Sequence, residues 1–406
     1  MKAKIWKLVT LLLIAGFAVA AIKTVSATGT LQPSSTISKV NGFPVYDSGK
    51  SEMFVLQGDG SIAIIPYNAN SVQTTIDTGI TPGEGHELAY DSAKGEIFVT
   101  SGGYVGAGGA LAHDPIVQII SDGNNSIVGT VIATQNIAPY RNPTFSRTPL
   151  GMAYDPSMGE IFLCDNGGGY VQGGVWVISD SDNQVVTEIG VPYAHEAVYD
   201  PAQSEIFVTN GTNSVTVIND KTNEIITSIT VGNNPYGIAY DSNKGEIFVF
   251  NENDGTVSVL SDSPPQVIET IKGITPEADH PISIAYDSNK GELFVSNVTI
   301  SDSTNTVVAG APIYTYPSGS GSFQQNFGNV AYDSAKGEMF AGGLTLGIGV
   351  FQDSSIPSTS SSTASTPTPK VPEFGGGAFV SVAVAMAVVA VLAVAVKAKK
   401  RKQLGS

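Results

Sequence analysis

The stretch Asn234-Pro235-Tyr236-Gly237-Ile238-Ala239-Tyr240-Asp241-Ser242-Asn243-Lys244-Gly245-Glu246-Ile247-Phe248-Val249-Phe250 decides the fold. It reads as two strands, Tyr236 to Tyr240 and Glu246 to Phe250, joined by a turn. Asp241 caps the turn backbone, and Gly245 tolerates the positive φ such a turn needs. The second strand is apolar at consecutive positions, which fits a sheet covered on both faces. Downstream, Thr256 to Leu260 and Gln266 to Ile271 complete a four-stranded unit.

The unit recurs. Tyr-Asp, four turn-like residues, Glu, an aliphatic residue and Phe return seven times between residues 36 and 353. The tyrosines are Tyr46, Tyr90, Tyr154, Tyr199, Tyr240, Tyr286 and Tyr332, at spacings of 44, 64, 45, 41, 46 and 46. The glutamates are Glu52, Glu96, Glu160, Glu205, Glu246, Glu292 and Glu338. The phenylalanines are Phe54, Phe98, Phe162, Phe207, Phe248, Phe294 and Phe340. Periods near 45 with strand-like content predict propeller blades. The expected fold is therefore all-β, a seven-bladed β-propeller of four-stranded blades over residues 28–353. A helical solenoid is disfavoured, because no unit holds a 3.6-residue apolar period over ten or more residues. The seventh unit lacks a fourth strand. Ser35 to Val40 lies where a fourth strand precedes every later unit, so it is expected to close the last blade as its outer strand.

These units resemble the YVTN-type β-propeller repeat. The matching residues are Asn234 to Asp241, then Ile206-Phe207-Val208-Thr209-Asn210, then Ser214-Val215-Thr216-Val217-Ile218. The resemblance spans about 320 residues and is specific for fold. Relatives include surface-layer proteins, redox-associated propellers and lyases, so it implies no single chemistry.

The ends read as targeting and anchoring segments. Lys2, Lys4 and Lys7 precede the apolar run Leu8 to Ile22, and Val25-Ser26-Ala27 offers small residues for cleavage, so residues 1–27 are expected to be a signal peptide. Residues 354–377 form a Ser/Thr/Pro-rich stalk open to O-glycosylation. Ala378 to Val396 are 19 uncharged residues, which as a helix would span a bilayer core. The basic tail, residues 397–406, would then lie in the cytoplasm and everything upstream outside. Pro372-Glu373-Phe374-Gly375, the apolar helix and the basic tail together resemble the PEFG-CTERM sorting tails of archaeal surface proteins. That resemblance implies processing or lipid exchange at the tail.

Charge sharpens the functional classes. Residues 28–369 keep ten basic against 35 acidic side chains, a net charge near −25. Such a surface repels phosphate backbones and argues against nucleic-acid binding. The lone Cys164 excludes an intrachain disulfide framework and any multi-cysteine metal site. No phosphate-cradling glycine loop, nucleophile elbow or zinc-protease motif occurs.

The first-to-second and third-to-fourth turns share one face and are short. The other face carries the long insertions, placed at Gly102 to Asp114, Gln135 to Pro149, Gly167 to Gly174 and Val298 to Ala311. Irregular loops gathered on one face of a rigid scaffold are the default binding surface. The candidate ligand-binding residues there are His86, Glu87, Tyr104, His113, Tyr140, Arg141, Arg147, His195, Glu196, Tyr236 and His280. His86 and His195 share one unit position, each before a first strand and each followed by Glu. Arg141 and Arg147 are the only arginines upstream of the tail; they would grip an anionic group, or else pair with acids such as Asp114.

No cofactor is implied outright. Copper or zinc at His86, His195 and His280 is the metal alternative, although His280 is offset and alternating blades separate these side chains. Asn251-Glu252-Asn253-Asp254-Gly255 offers oxygens to calcium but lacks the spacing of a calcium loop, and reads better as a tight turn. The repeated Asp reads as a turn cap and the repeated Glu as a partner of Lys50, Lys94, Lys244, Lys290 and Lys336, since a single active site needs asymmetry. Asn124, Asn210 and Asn297 are Asn-X-Ser/Thr acceptors for glycans. The leading expectation is a membrane-anchored, cell-surface propeller that binds an envelope protein or glycan. A propeller enzyme or metal protein, and a structural surface-layer component, are the alternatives.

Overall fold

The computed structural model describes residues 35–352 with interruptions, the longest at 133–148 and 275–283. All the described residues belong to one compact unit. The expected signal peptide, stalk, membrane helix and basic tail lie outside the described residues. No helix among the described residues is long and apolar enough to cross a membrane.

Seven four-stranded antiparallel sheets form a β-propeller. The fifth blade shows the plan: Pro235–Asp241, Glu246–Asn251, Thr256–Asp262 and Pro265–Lys272, paired in that order. The innermost strands are Gly42–Asp47, Gly85–Asp91, Pro149–Asp155, Ala194–Asp200, Pro235–Asp241, Ile284–Asp287 and Asn329–Asp333. Each touches the next, and the seventh returns to the first, which closes the ring. The seventh blade takes three strands from the end of the chain and its outer strand, Ser35–Ile37, from the beginning. Ser35, Thr36 and Ile37 pair with Val350, Gly349 and Ile348. Ile37 and Val40 are buried in the cluster between the seventh and first blades, so closure covers both a backbone edge and apolar side chains.

Consecutive apolar positions bury because neighbouring blades cover both faces of each sheet. In Glu246–Asn251 every residue after Glu246 is buried. One hydrophobic cluster fills each seam; that between the fifth and sixth blades holds Phe248, Phe250, Leu293 and Ile300. All seven repeated phenylalanines are buried, and truncating such a side chain to Ala typically costs about 3–5 kcal/mol.

The repeated Asp is a turn cap. Asp91 is fully buried, and its Oδ1 accepts the Ala93 and Lys94 N–H groups at 2.8 and 3.1 Å. Asp47, Asp155, Asp200 and Asp287 do the same in their turns. Gly95, Gly159, Gly245 and Gly291 then adopt positive φ, and a Cβ at each would strike an aspartate carboxylate, so Gly serves both conformation and space.

One expectation is corrected and one is qualified. Val298 to Ala311 is not an insertion: Val298–Ser301 and Thr306–Gly310 are the third and fourth strands of the sixth blade. The extra element there is a separate hairpin, Tyr314–Ser318 with Gly321–Gln325. The pairing of Lys50, Lys94 and Lys244 is only partly local: each feels the glutamate of its own unit but also reaches an aspartate beyond it. Lys50 stands 3.8 Å from Asp122, Lys94 3.7 Å from Asp180 and Lys244 3.5 Å from Asp302, each across a seam into the next blade. Lys50 and Lys244 also donate to the carbonyl oxygens of Asp122 and Asp302. Lys244 keeps a longer contact of 3.9 Å with Glu246.

Candidate functional site

In the second to fifth blades the innermost strand opens with a β-bulge. Pairing slips between Gly85 and Leu88, Pro149 and Met152, Ala194 and Ala197, and Pro235 and Ile238. The bulged residues include His86, Glu87, His195, Glu196 and Tyr236. His86 and His195 therefore lie inside strands rather than before them. A bulge removes an N–H from the ladder and re-aims the adjacent side chain. Buried threonines take up the displaced groups: Glu87 N–H donates to Thr100 Oγ1 at 2.9 Å and Glu196 N–H to Thr209 Oγ1 at 3.1 Å. The Thr209 hydroxyl donates in turn to the Tyr236 carbonyl at 2.8 Å, tying the fourth blade to the fifth.

These bulges gather polar side chains around the axis. Between the second and fourth blades stands Gly151 of the third, and the Glu196 carboxyl occupies the space a side chain there would fill. A Cβ on Gly151 would lie 2.1 Å from Glu196 Oε2. Across this gap Glu196 feels Glu87. Burial pushes Glu87 up to about 7; burial, then the charge of Glu87, raises Glu196 well above the usual carboxylate range. The Tyr236 hydroxyl is raised by burial and then by Glu196 and Glu87. The His195 ring lies 4.6 Å from that of Tyr236, tilted by 43°, and Gly211 leaves room for its Nε2. His195 is buried, and desolvation lowers its pKa to about 4, so it is neutral at pH 7.

The structure thus unites Glu87, Glu196, Tyr236 and His195. Tyr104 and His113 pair within a small hairpin, Tyr104–Val105 with Leu111–His113, on the second-to-third connection of the second blade. Tyr140, Arg141, Arg147 and His280 lie outside the described residues, as does Asn297. Asn124 is exposed in a turn. Asn210 is buried, its Oδ1 accepts the Thr212 and Ser214 N–H groups and its Nδ2 donates to Ser214 Oγ.

Among the described residues, no group of three or more His, Cys, Asp and Glu side chains could hold a metal ion. Buried His195 is a neutral aromatic neighbour rather than an exposed ligand. At the proposed calcium cluster, Glu252–Asp254 form a short 3-10 turn ended by Gly255 in the left-handed region. Its oxygens are engaged: Asn251 Oδ1 accepts Gly232 N–H, Asp254 accepts Asn233, and Glu252 accepts Asn234 Nδ2. The cluster fastens a loop.

No protein-family model matches this chain, and no curated protein matches it in sequence. The chemistry is therefore read from the site. A half-buried carboxyl pair beside a tyrosine can accept or donate hydrogen bonds and hold a proton at neutral pH. Cys164 is fully buried and its thiol is pushed well up by burial, so it supplies no thiolate nucleophile.

Proposed function

We propose that the chain is a cell-surface, membrane-anchored β-propeller that binds an envelope protein or glycan through its loop-bearing face. The propeller fold suits an interaction module. The observation that carries the reading is asymmetry between the two ends of the propeller. The turns after the innermost strands repeat one aspartate-capped form. Both added hairpins belong to connections of the opposite end. There the bulged strands also place Glu87, Glu196 and Tyr236. A uniform end has nothing with which to discriminate partners, whereas varied loops on a rigid ring do. The anchoring part rests on the composition of residues 1–27 and 354–406. The resemblance to YVTN-type repeats and to a surface-protein sorting tail points the same way.

Arg141 and Arg147, within an otherwise acidic protein, suit an anionic group on the partner. Replacing both with Ala is expected to weaken partner capture from native envelope at least tenfold while leaving the melting temperature within a few degrees. Ser242→Arg on the uniform face should leave capture unchanged. Equal loss from both changes, or from neither, would overturn the assignment of the face.

A further inference from the structure

The blade seams repeat one polar arrangement. A turn-capping Asp and a Lys of one blade meet a Tyr and an Asp of the next, as with Asp241 and Lys244 against Tyr286 and Asp302. The third blade has Met158 at the lysine position and the fourth has Gln203. The carboxylates remain. Asp155 is fully buried; its Oδ1 accepts the Ser157 and Met158 N–H groups, and its Oδ2 has no hydrogen-bond partner. Facing it, Asp220 is fully buried, with Oδ1 unpartnered and Oδ2 accepting from Tyr199 at 3.3 Å. Tyr199 has one proton to give, and Ser157 Oγ stands 3.2 Å from the same hydroxyl. At the next seam Asp200 is fully buried with Oδ2 unpartnered, and the half-buried Asp262 carboxylate occupies the space a side chain on Gly245 would need.

We propose that the seams between the third and fourth blades, and between the fourth and fifth, each hold a shared proton where the seams of Lys50, Lys94 and Lys244 hold a lysine ammonium, so that the propeller is more stable in acid than at neutral pH. Two carboxylates facing in a dry seam cannot both ionise cheaply. Burial and then Asp155 raise Asp220. Burial and then Asp200 raise Asp262. Glu205, beside Asp200, Asp262 and Asp220, is pushed by burial up to about 7. The remaining groups do not cancel this. Glu160 faces Asn223, Asp155, Asp220 and Asp180 and is itself raised. Tyr240 faces Asp200, Asp262 and Asp241. Lys221 lowers Asp220 but donates its ammonium to Ser204 Oγ. Folded values above unfolded ones give stability fully present below the ordinary carboxylate range and lost as pH rises through the raised folded values, which for Glu205 is about 7.

Thermal unfolding of the full chain at pH 4.5 and pH 8 tests this. Met158 is 43% exposed and Gln203 is exposed, so lysine can be installed at both. Met158→Lys with Gln203→Lys should shrink the fall in melting temperature between the two pH values by roughly 3–6 °C. Asp220→Asn, which keeps the tyrosine contact, should also shrink it, and Lys94→Met, which creates a further lysine-free seam, should enlarge it. If the double lysine variant fails to fold, Asp220→Asn decides. A fall as large as that of the natural chain in either Asp220→Asn or the folded lysine variant overturns the proposal.

Discussion

The ammonium of Lys94, in the second blade, stands 3.7 Å from a carboxylate oxygen of Asp180, in the third. Lys50 and Lys244 make the same step to Asp122 and Asp302. The apolar clusters of the seams carry most of the cohesion, since burial of each large side chain is worth about 1.5–3 kcal/mol. The lysines add charge balance where one blade's aspartate meets the next blade's. About a third of the Lys94 side chain is exposed, so its pair is screened and modest in energy.

Lys94→Met should therefore cost about 0.5–1 kcal/mol in low salt at pH 7, and less in 1 M salt. Urea unfolding at the two salt concentrations measures it. A loss that is large and independent of salt would mean that Lys94 acts through packing of its stem.

The axial carboxyls should respond to pH. Unfolded glutamate titrates near its ordinary value, about 4.3, while burial holds folded Glu87 at about 7 and Glu196 well above the usual range. The folded state binds these protons more tightly, so their contribution is present in acid and lost as pH rises through about 7. Glu196→Gln should raise the melting temperature at pH 8 and change it little at pH 4. An equal change at both pH values would show that the carboxyl is not held neutral.

Removing residues 28–40 takes away the strand that pairs with Gly347–Gln352, along with buried Ile37 and Val40. Two such side chains and an exposed sheet edge amount to several kcal/mol, about 3–6 from the side chains alone. The truncated chain should aggregate or melt far below the intact one. Equal melting would mean that the blade does not depend on the N-terminal strand.

Glycan occupancy separates two acceptor sequences of similar appearance. Asn124 stands exposed, whereas Asn210 spends its amide on Thr212 and Ser214. Glycopeptide mass spectrometry of material from the native host should find sugar at Asn124 and none at Asn210. The reverse pattern would contradict both the surface assignment and the burial argument.

Blade number and strand plan were legible because each unit repeats Tyr-Asp, a turn and an apolar strand, and local periodicity survives any arrangement of neighbours. Ser35 to Val40 was legible as a strand lacking its own unit. Contacts between units were not. Lys94 lies two residues from Glu96, which made the local pair look natural, yet the turn aims the ammonium into the next blade. Val298–Ser301 looked like loop because its blade lacks the longer apolar run of the others. Glu87 and Glu196 were singled out, but neither their mutual electrostatic effect across blades nor the room that Gly151 of the third blade leaves for Glu196 shows in the local pattern. Asn210 looked accessible because hydrogen bonding within a strand-end turn leaves no trace in an acceptor motif.

The central claim is that the loop-bearing face is the one that meets a partner, and site-specific photo-cross-linking in intact cells tests it most directly. A photoreactive residue at Tyr104 or Tyr316, on the two hairpins, should give a discrete cross-linked species, while one at Ala93 or Ser242, in the aspartate-capped turns, should give none. Cross-linking from Ala93 and Ser242 with none from the hairpins, or equally from both faces, would contradict the account.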